Sequence, residues 1–406
     1  MSSSAIKTFI LPAAITLLAF FFAFQFVDPA PPKSVTITTG QKNGSYYSFA
    51  KQYQTILAKH NIELIIQESN GSVDNLTRII DNKADIGFIQ GGVATDYNGT
   101  DLLTLGNLYY EPLWLFHKSE LSITTFKDLV DKKIYIGEPG SGTKALVEQL
   151  LNDNQLSDKV ETVNLKSAEV AFFVAAADSE VIRDYLEDEA YSLLSFERAQ
   201  AYERRMKFLT HVTLPRGLVD LSKDIPSQDK TMLASTANLV VNANLHPAIQ
   251  DLLLQSMEDV HQKGGWFENS SEFPNSNFSE LPVSPEAKRF YKHGPPLLQR
   301  YLPFWLASLI DRLKVMLLPL VLMMLPLMKI MPPVYTWRMR SKIYRWYQSL
   351  EQIELAFSKE EHDKIALKEQ LDILEQEVIQ VEVPLSFASQ LYDLRQHIEL
   401  VKRRLD

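Results

Sequence analysis

Two long apolar runs, one near each end, constrain this chain more than anything else in it. Residues 8–27, TFILPAAITLLAFFFAFQFV, carry no charge, and about 20 such residues in a helix cross the hydrocarbon core of a bilayer. A secretory signal has a shorter apolar stretch and a small-residue cleavage site. Here the run is long and aromatic and no A-x-A site follows, so an uncleaved anchor is expected, with DPAPPK as a stiff extended spacer. The second run is VMLLPLVLMMLPLMKIMPPV, residues 315–334. Pro319 and Pro326 kink a membrane helix without forbidding it. A buried core helix is the alternative, but no amphipathic period interrupts the run. Tyr301, Trp305, Tyr335 and Trp337 stand near its ends as interfacial aromatics do. The preceding YLPFWLASLIDRLK reads as an interfacial helix with Asp311, Arg312 and Lys314 among the headgroups.

Arg338, Arg340, Lys342 and Arg345 follow, with no acidic residue between 334 and 350. Such a basic cluster marks the cytoplasmic side. Both termini are therefore expected in the cytoplasm and the middle of the chain outside, at an inner membrane. The expected division is an anchor and spacer (1–34), an extracytoplasmic domain of two lobes (35–295), an interfacial helix and second span (296–335), and a cytoplasmic helical hairpin (336–406).

Residues 35–265 read as α/β. VTITT (35–39), IELIIQ (62–67), ADIGFIQ (84–90) and KIYIG (133–137) have strand character, as do AFFVAAA (171–177), YSLLSF (191–196) and NLVVNA (238–243). Helical periods lie between them: Ser45 to His60, VDNLTRIIDNK, TKALVEQLLND and PAIQDLLLQSMEDVHQ. Strands alternating with helices imply largely parallel sheets covered on both faces. Residues 268–285, rich in Ser, Asn and Pro, are a loop. In the last segment Ile343, Trp346, Leu350, Ile353 and Phe357 step by three and four. So do Leu367, Leu371, Leu374 and Val378, and then Leu391, Leu394, Ile398, Val401 and Leu405. Pro384 breaks the pattern, so two antiparallel helices are expected around a turn near Val381–Ser386. They either pack only on themselves as a coiled-coil hairpin or serve as a docking or dimerisation element.

A net charge of −9 argues against nucleic-acid binding, which needs a clustered basic surface. With no cysteine, thiol catalysis, disulfides and Cys-ligated metals are excluded. The eight histidines show no H-E-x-x-H spacing, and there is no G-x-S-x-G elbow. No enzyme, metal site or cofactor is expected.

The glycine-rich turns are more informative. In IYIGEPGSGTKALVEQL a strand ends in Gly137-Glu138-Pro139-Gly140-Ser141-Gly142-Thr143 and a helix begins. Glycines leave backbone N–H groups bare and a helix start adds partial positive charge, so the turn can seat an anion such as a carboxylate. Ser141 and Thr143 add hydroxyls. A ligand-free turn is the plain alternative. The reversed order of Thr143 and Lys144 departs from a phosphate-binding loop. Gly40, Gly44, Tyr46 and Tyr47 stand at a second helix start. Ser72 and Asn75 open a third, where Ser72 could simply be an N-cap. Gln90 ends a strand, where ligands of open α/β sheets collect.

In order along the chain, Gly44-Ser45-Tyr46-Tyr47, Ser72-Val73-Asp74-Asn75, Ala84 to Gln90, and Gly140-Ser141-Gly142-Thr143 resemble the motifs of TAXI-type solute receptors of TRAP transporters. NLVVNANLHPAIQDLLL is similar to their late strand–helix pair, and the likeness covers about 35–265. It implies a type II periplasmic-binding-protein fold with a small organic acid or amino acid held between two lobes, delivered to TRAP permease subunits. It makes Tyr46, Tyr47, Ser72, Asn75, Gln90, Ser141, Gly142 and Thr143 pocket candidates. Three places depart from the family: Gly91-Gly92 after the glutamine, the wording of SAEVAFFVAAADS, and Leu214-Pro215-Arg216-Gly217-Leu218 in place of a G-x-Y turn. Arg216 could clamp a carboxylate there. The competing function is a ligand sensor signalling through the hairpin to a separate output protein.

Overall fold

The structure, a computed structural model, describes residues 17–18, 20–22, 24–25, 29–177, 179–358 and 364–405. Most of the expected N-terminal span over 8–27 lies outside the described residues. The chain divides into two compact units, Pro29–Ile310 and a second that takes in Asp311–Asp406.

The first unit opens with β1 (Ser34–Thr38), α1 (Ser45–Ala58), β2 (Glu63–Gln67), α2 (Ser72–Ile80) and β3 (Ile86–Gln90). The three strands are parallel, with β1 between β2 and β3. Each helix buries one stripe at helical spacing: Ala50, Tyr53 and Leu57 on α1, and Ser72, Asn75 and Ile79 on α2. Burying a side chain the size of Tyr53 contributes about 1.5–3 kcal/mol. The Tyr53 hydroxyl is satisfied by His261 Nε2 at 2.8 Å. Burial drives the His261 pKa down to about 3, so the ring is neutral at neutral pH.

The chain continues through β4 (Leu102–Lys118), β5 (Lys133–Tyr135), α3 (Gly142–Asp153), β6 (Glu161–Thr162) and β7 (Val170–Val174). Then come α4 (Glu180–Glu187), β8 (Tyr191–Leu193), α5 (Ala199–Arg205), β9 (Thr210–Leu214) and β10 (Lys230–Asn242). The strand order is β2-β1-β3-β10-β4-β7-β5-β6, with β8 on β4 and β9 on β10. β4 and β10 pair antiparallel along most of their length. β10 gives one end to β3 and the other to β9, while β4 pairs with β7 and β8 at its far end. These two strands therefore run through both halves of the sheet. Each half has its own core: one around Ile37, Tyr53, Phe88 and Leu239, the other around Leu115, Ile134, Leu150 and Phe172. Two lobes joined by two long strands, with the late strand inserted antiparallel beside β3, make a type II periplasmic-binding-protein fold. The expected strands are present with shifted bounds: 171–177 ends at Val174 and 191–196 at Leu193, whereas 238–243 is the end of the longer β10.

α6 (Pro247–His261) packs against α1, and α7 (Pro285–His293) against α6. The loop between them lies on β4, where Asn107 and Asn275 exchange backbone hydrogen bonds at 2.6 and 3.2 Å. Short helices α8 (Leu297–Tyr301) and α9 (Phe304–Leu313) follow.

The second unit is helical. α10 (Leu317–Ser358) is one 42-residue helix with Pro326, Pro332 and Pro333 inside it. It is long and apolar enough to cross a membrane, by length and composition alone. Its C-terminal part packs with α11 (Lys364–Ile379) and α12 (Ala388–Leu405). Of the positions the three-and-four spacing picks out, Ile343, Leu350, Ile353, Leu367, Leu371, Leu374, Val378, Leu391, Leu394, Ile398, Val401 and Leu405 are buried there, and Trp346 and Phe357 are partly buried. The expected two-helix hairpin is thus a three-helix packing. Residues 343–357 are the end of the long helix, and they close against the two helices that the Pro384 turn connects. Lys402 on α12 bridges Asp372 and Glu375 on α11 at 2.7 and 2.9 Å.

Candidate functional site

A cleft of about 160 Å³ opens between the lobes. Its walls come from the carboxyl ends of parallel strands, where successive βα turns converge. Gly40, Gly44 and Tyr46 follow β1, Gly71 and Ser72 follow β2, and Gln90 ends β3. The other lobe contributes Ser141, Gly142 and Thr143 after β5, with Val174 to Ala176 and Ser179 after β7. Glu111, on the connecting strand β4, also lines the cleft.

On the first lobe the polar groups form one chain. The Tyr46 hydroxyl donates to Glu111 Oε2 at 2.9 Å and lies 3.3 Å from Ser72 Oγ. Ser72 Oγ accepts from the Gln90 backbone N–H at 2.9 Å. The Tyr46 ring is stacked on Phe88, with centroids 5.0 Å apart, which fixes the hydroxyl. Burial, with the adjacent Glu111 carboxyl, holds the Tyr46 phenol protonated well beyond its usual range. Glu111 is 4% exposed, and burial pushes its carboxyl up to about 8, partly opposed by the Tyr46 hydroxyl. Gln90 is 3% exposed, and its Nε2 finds no hydrogen-bond partner among the described residues. A buried amide donor without a partner costs about 1–3 kcal/mol.

On the second lobe, α3 begins at the glycine turn. Ser141 is its N-cap: Oγ accepts from the Lys144 N–H at 3.2 Å and donates to the Glu138 carbonyl at 2.7 Å. Thr143 Oγ1 accepts from the Val174 N–H at 3.0 Å, tying the turn to β7. Among the described residues the amides of Gly142 and Thr143 have no acceptor. They are the first N–H groups of the helix and carry its partial positive charge.

The lobes touch at this turn. The N–H groups of Val73 and Asp74, at the start of α2, donate to the Gly140 carbonyl at 3.2 and 3.3 Å. Gly71 has φ +120°, and a Cβ there would stand 3.2 Å from Ser141 Cα. A Cβ at Gly142 would stand 2.2 Å from Gln90 Oε1. The glycines therefore let one lobe close on the other, in addition to any approach of a ligand.

Six of the expected residues meet here: Tyr46, Ser72, Gln90, Ser141, Gly142 and Thr143. Three do not. Asn75 is fully buried behind the cleft, where Oδ1 accepts from Thr38 Oγ1 and Ser69 Oγ, both at 2.6 Å. Its Nδ2 donates to the carbonyls of Thr39 and Phe88. All its capacity is used in bracing β1, β3 and the loop before α2. Tyr47 points away, with the Lys51 ammonium 5.7 Å from its ring centre. Arg216 sits exposed in the β9–β10 connection, where its guanidinium pairs with Asp224 (Nε to Oδ1, 2.7 Å) instead of reaching the cleft. Two roles also change. The Ser141 hydroxyl is spent on its own turn, so it is a cap before it is a ligand donor. Ser72 is not a cap, because Gly71 holds that position; it links Tyr46 to Gln90.

Glu111, Val174 to Ala176 and Ser179 escaped sequence reasoning. The available signal for Glu111 was a single carboxylate inside the apolar run Leu108-Tyr109-Tyr110-Glu111-Pro112-Leu113-Trp114. A second cavity of about 220 Å³, walled by Phe49, Val260 and Trp266 among others, shares Ala176 with the cleft. Among the described residues no cluster of three or more His, Asp or Glu could hold a metal ion.

A model of the NMT1-like family matches residues 37–293, the cleft-bearing lobes. The chain belongs to the NMT1-like family. Solved structures with a similar outline include three solute binders. The alkanesulfonate-binding protein SsuA of Xanthomonas axonopodis pv. citri, bound to MOPS, is 14% identical, with 57% of this chain and 74% of that one covered and a TM-score of 0.33. A putative L-cystine ABC transporter protein of Listeria monocytogenes is 12% identical, over 59% and 99%, with a TM-score of 0.38. The GluR0 ligand-binding core of Nostoc punctiforme, in complex with L-glutamate, is 12% identical, over 57% and 95%, with a TM-score of 0.36.

Proposed function

We propose that this NMT1-like chain is a membrane-tethered binding protein that holds a small anionic solute, an organic acid or amino acid, between its lobes outside the cell membrane. The observation that carries the reading is the set of unanswered donors in the cleft: Gln90 Nε2 and the amides of Gly142 and Thr143. They belong to different lobes, so one acceptor-rich solute can satisfy both and hold the lobes together. Carboxylates suit a helix start of this kind. The long apolar stretch of α10 and the basic residues Arg338, Arg340, Lys342 and Arg345 support tethering, with the helical packing in the cytoplasm. The TAXI-type order of motifs supports delivery to a TRAP-type permease.

The binding claim is tested by thermal unfolding of the full chain in detergent against a panel of carboxylates, keto acids and amino acids. A solute at a hundredfold excess over its Kd stabilises the folded state by about 2.7 kcal/mol. A panel that shifts nothing counts against the reading. Tethering is tested by reporter fusions after Asp406 and within 268–285, which should report opposite sides of the membrane; the same side for both refutes it.

A further inference from the structure

The same cleft contains a group that an anion alone does not answer. Glu111 is buried to 4% exposure on β4, lines the same cleft as the donors of both lobes, and its Oε2 already accepts from Tyr46. Among the described residues no Lys, Arg or His forms an ion pair with it. The groups that act on it are burial and the Tyr46 hydroxyl, with no cation among them. Ser235, opposite Glu111 in the β4–β10 ladder and so on the same sheet face, also leaves a fully buried hydroxyl without a partner. Buried carboxylates in proteins are paired with a cation or bound to a metal, or they hold a proton. A carboxyl that lines a solute cleft and pairs with no cation among the described residues can gain a cation from the solute, in place of the proton it otherwise holds.

We propose that the solute carries a primary amine as well as a carboxylate, and that Glu111, oriented by Tyr46, receives its ammonium while Gln90 Nε2 and the Gly142 and Thr143 amides receive its carboxylate. This rests on the solute-binding reading above and narrows its ligand class from organic acids in general to amino acids. The cleft volume of about 160 Å³ suits a small one. Two opposite charges on the solute meet two different sets of groups lining the cleft, so a solute lacking either loses the match. Near neutral pH the free Glu111 carboxyl is mostly protonated, since burial holds it up to about 8. The arriving ammonium makes the ionised form favourable, and the proton leaves to solvent. The bound pair is then ammonium and carboxylate, and about one proton is released per solute.

The test is calorimetric titration of the full-length chain in detergent at pH 7, in two buffers of different ionisation enthalpy. The probes are small L-amino acids and the 2-oxo acids of the same carbon skeletons. The expected result is binding of one or more amino acids, at least a hundredfold weaker binding of the matching 2-oxo acid, and release of close to one proton, read from the buffer dependence of the heat. Glu111→Gln is expected to abolish the proton release and weaken amino-acid binding at least tenfold. The wild-type comparison stands on its own should that variant not fold. A 2-oxo acid that binds as tightly as its amino acid, with no proton released, overturns this inference and leaves the solute-binding reading in place. Failure of both classes to bind overturns the inference and counts against that reading as well.

Discussion

Replacing Asn75 separates a strut from a ligand contact. The motif order makes Asn75 a pocket candidate, whereas the structure buries it completely behind the cleft with four hydrogen bonds: from Thr38 and Ser69, and to the carbonyls of Thr39 and Phe88. Each such bond contributes about 0.5–1.5 kcal/mol net. Asn75→Ala removes all four at once and should destabilise the cleft-bearing unit by about 3–4 kcal/mol. For a unit of this size that lowers the melting temperature by about 5–7 °C. Asn75→Asp keeps the shape but turns the Nδ2 end into an oxygen facing two carbonyls, so it should be nearly as harmful. Its deficit should deepen as pH rises above the usual carboxylate range and the buried acid is driven to ionise. Scanning fluorimetry of the full chain without added solute is the assay. A loss below about 1 kcal/mol for Asn75→Ala would refute the bracing role and return the residue to the list of ligand contacts.

Other outcomes follow from the same geometry. Glu111, raised to about 8, contributes stability that is full below its ordinary carboxylate value and is lost as pH rises through 8. His261, lowered to about 3, contributes stability that is full above the ordinary histidine value and is lost as pH falls toward 3. The two slopes oppose one another between about pH 4.5 and 6.5, so denaturation curves should show a plateau there. Glu111→Gln should flatten the alkaline arm and His261→Gln the acid arm; wild-type slopes in either variant would contradict the assignment. Ser141→Ala removes an N-cap and should cost about 1 kcal/mol of stability, with any loss of binding following from the disordered turn; unchanged stability would show that the cap is dispensable. Arg216→Ala should leave solute binding unchanged in calorimetry, because its guanidinium serves Asp224 at the surface; a large loss would bring the second-lobe carboxylate clamp back.

The sequence was most legible where a period or a turn dictates the answer. The three-and-four spacing from Ile343 to Leu405 names most of the buried face of the helical unit; Trp346 and Phe357 are only partly buried, and Phe387 joins the core from outside the spacing. What it could not convey is that 343–357 continues the apolar helix, because the Pro332-Pro333 pair that closes the apolar run is carried inside one helix. The glycine turns were legible for a similar reason: a chain reversal before a helix needs them, and Gly71, Gly137 and Gly140 do hold positive φ. Their partners were not. That Gly142 faces Gln90, or that Gly140 offers its carbonyl to α2, depends on how two lobes separated in sequence close together. Strand β4 was missed because its 17 residues are buried on both faces over much of their length and show no alternation. Glu111 was missed with it. A lone carboxylate has no motif, and its meaning appears only when the strand is seen to pass along the cleft.

The central claim, that the cleft holds a small solute through donors from both lobes, is tested most directly by native mass spectrometry of the full chain extracted gently in detergent, wild type beside Gly142→Val. The substitution puts a side chain where even a Cβ would stand 2.2 Å from Gln90 Oε1, pushing aside the amide that the solute needs. The expected result is a small-molecule adduct on the wild type, or one restored by the solute found in the thermal screen, and its loss in a folded Gly142→Val. An adduct of equal occupancy on both proteins would contradict it.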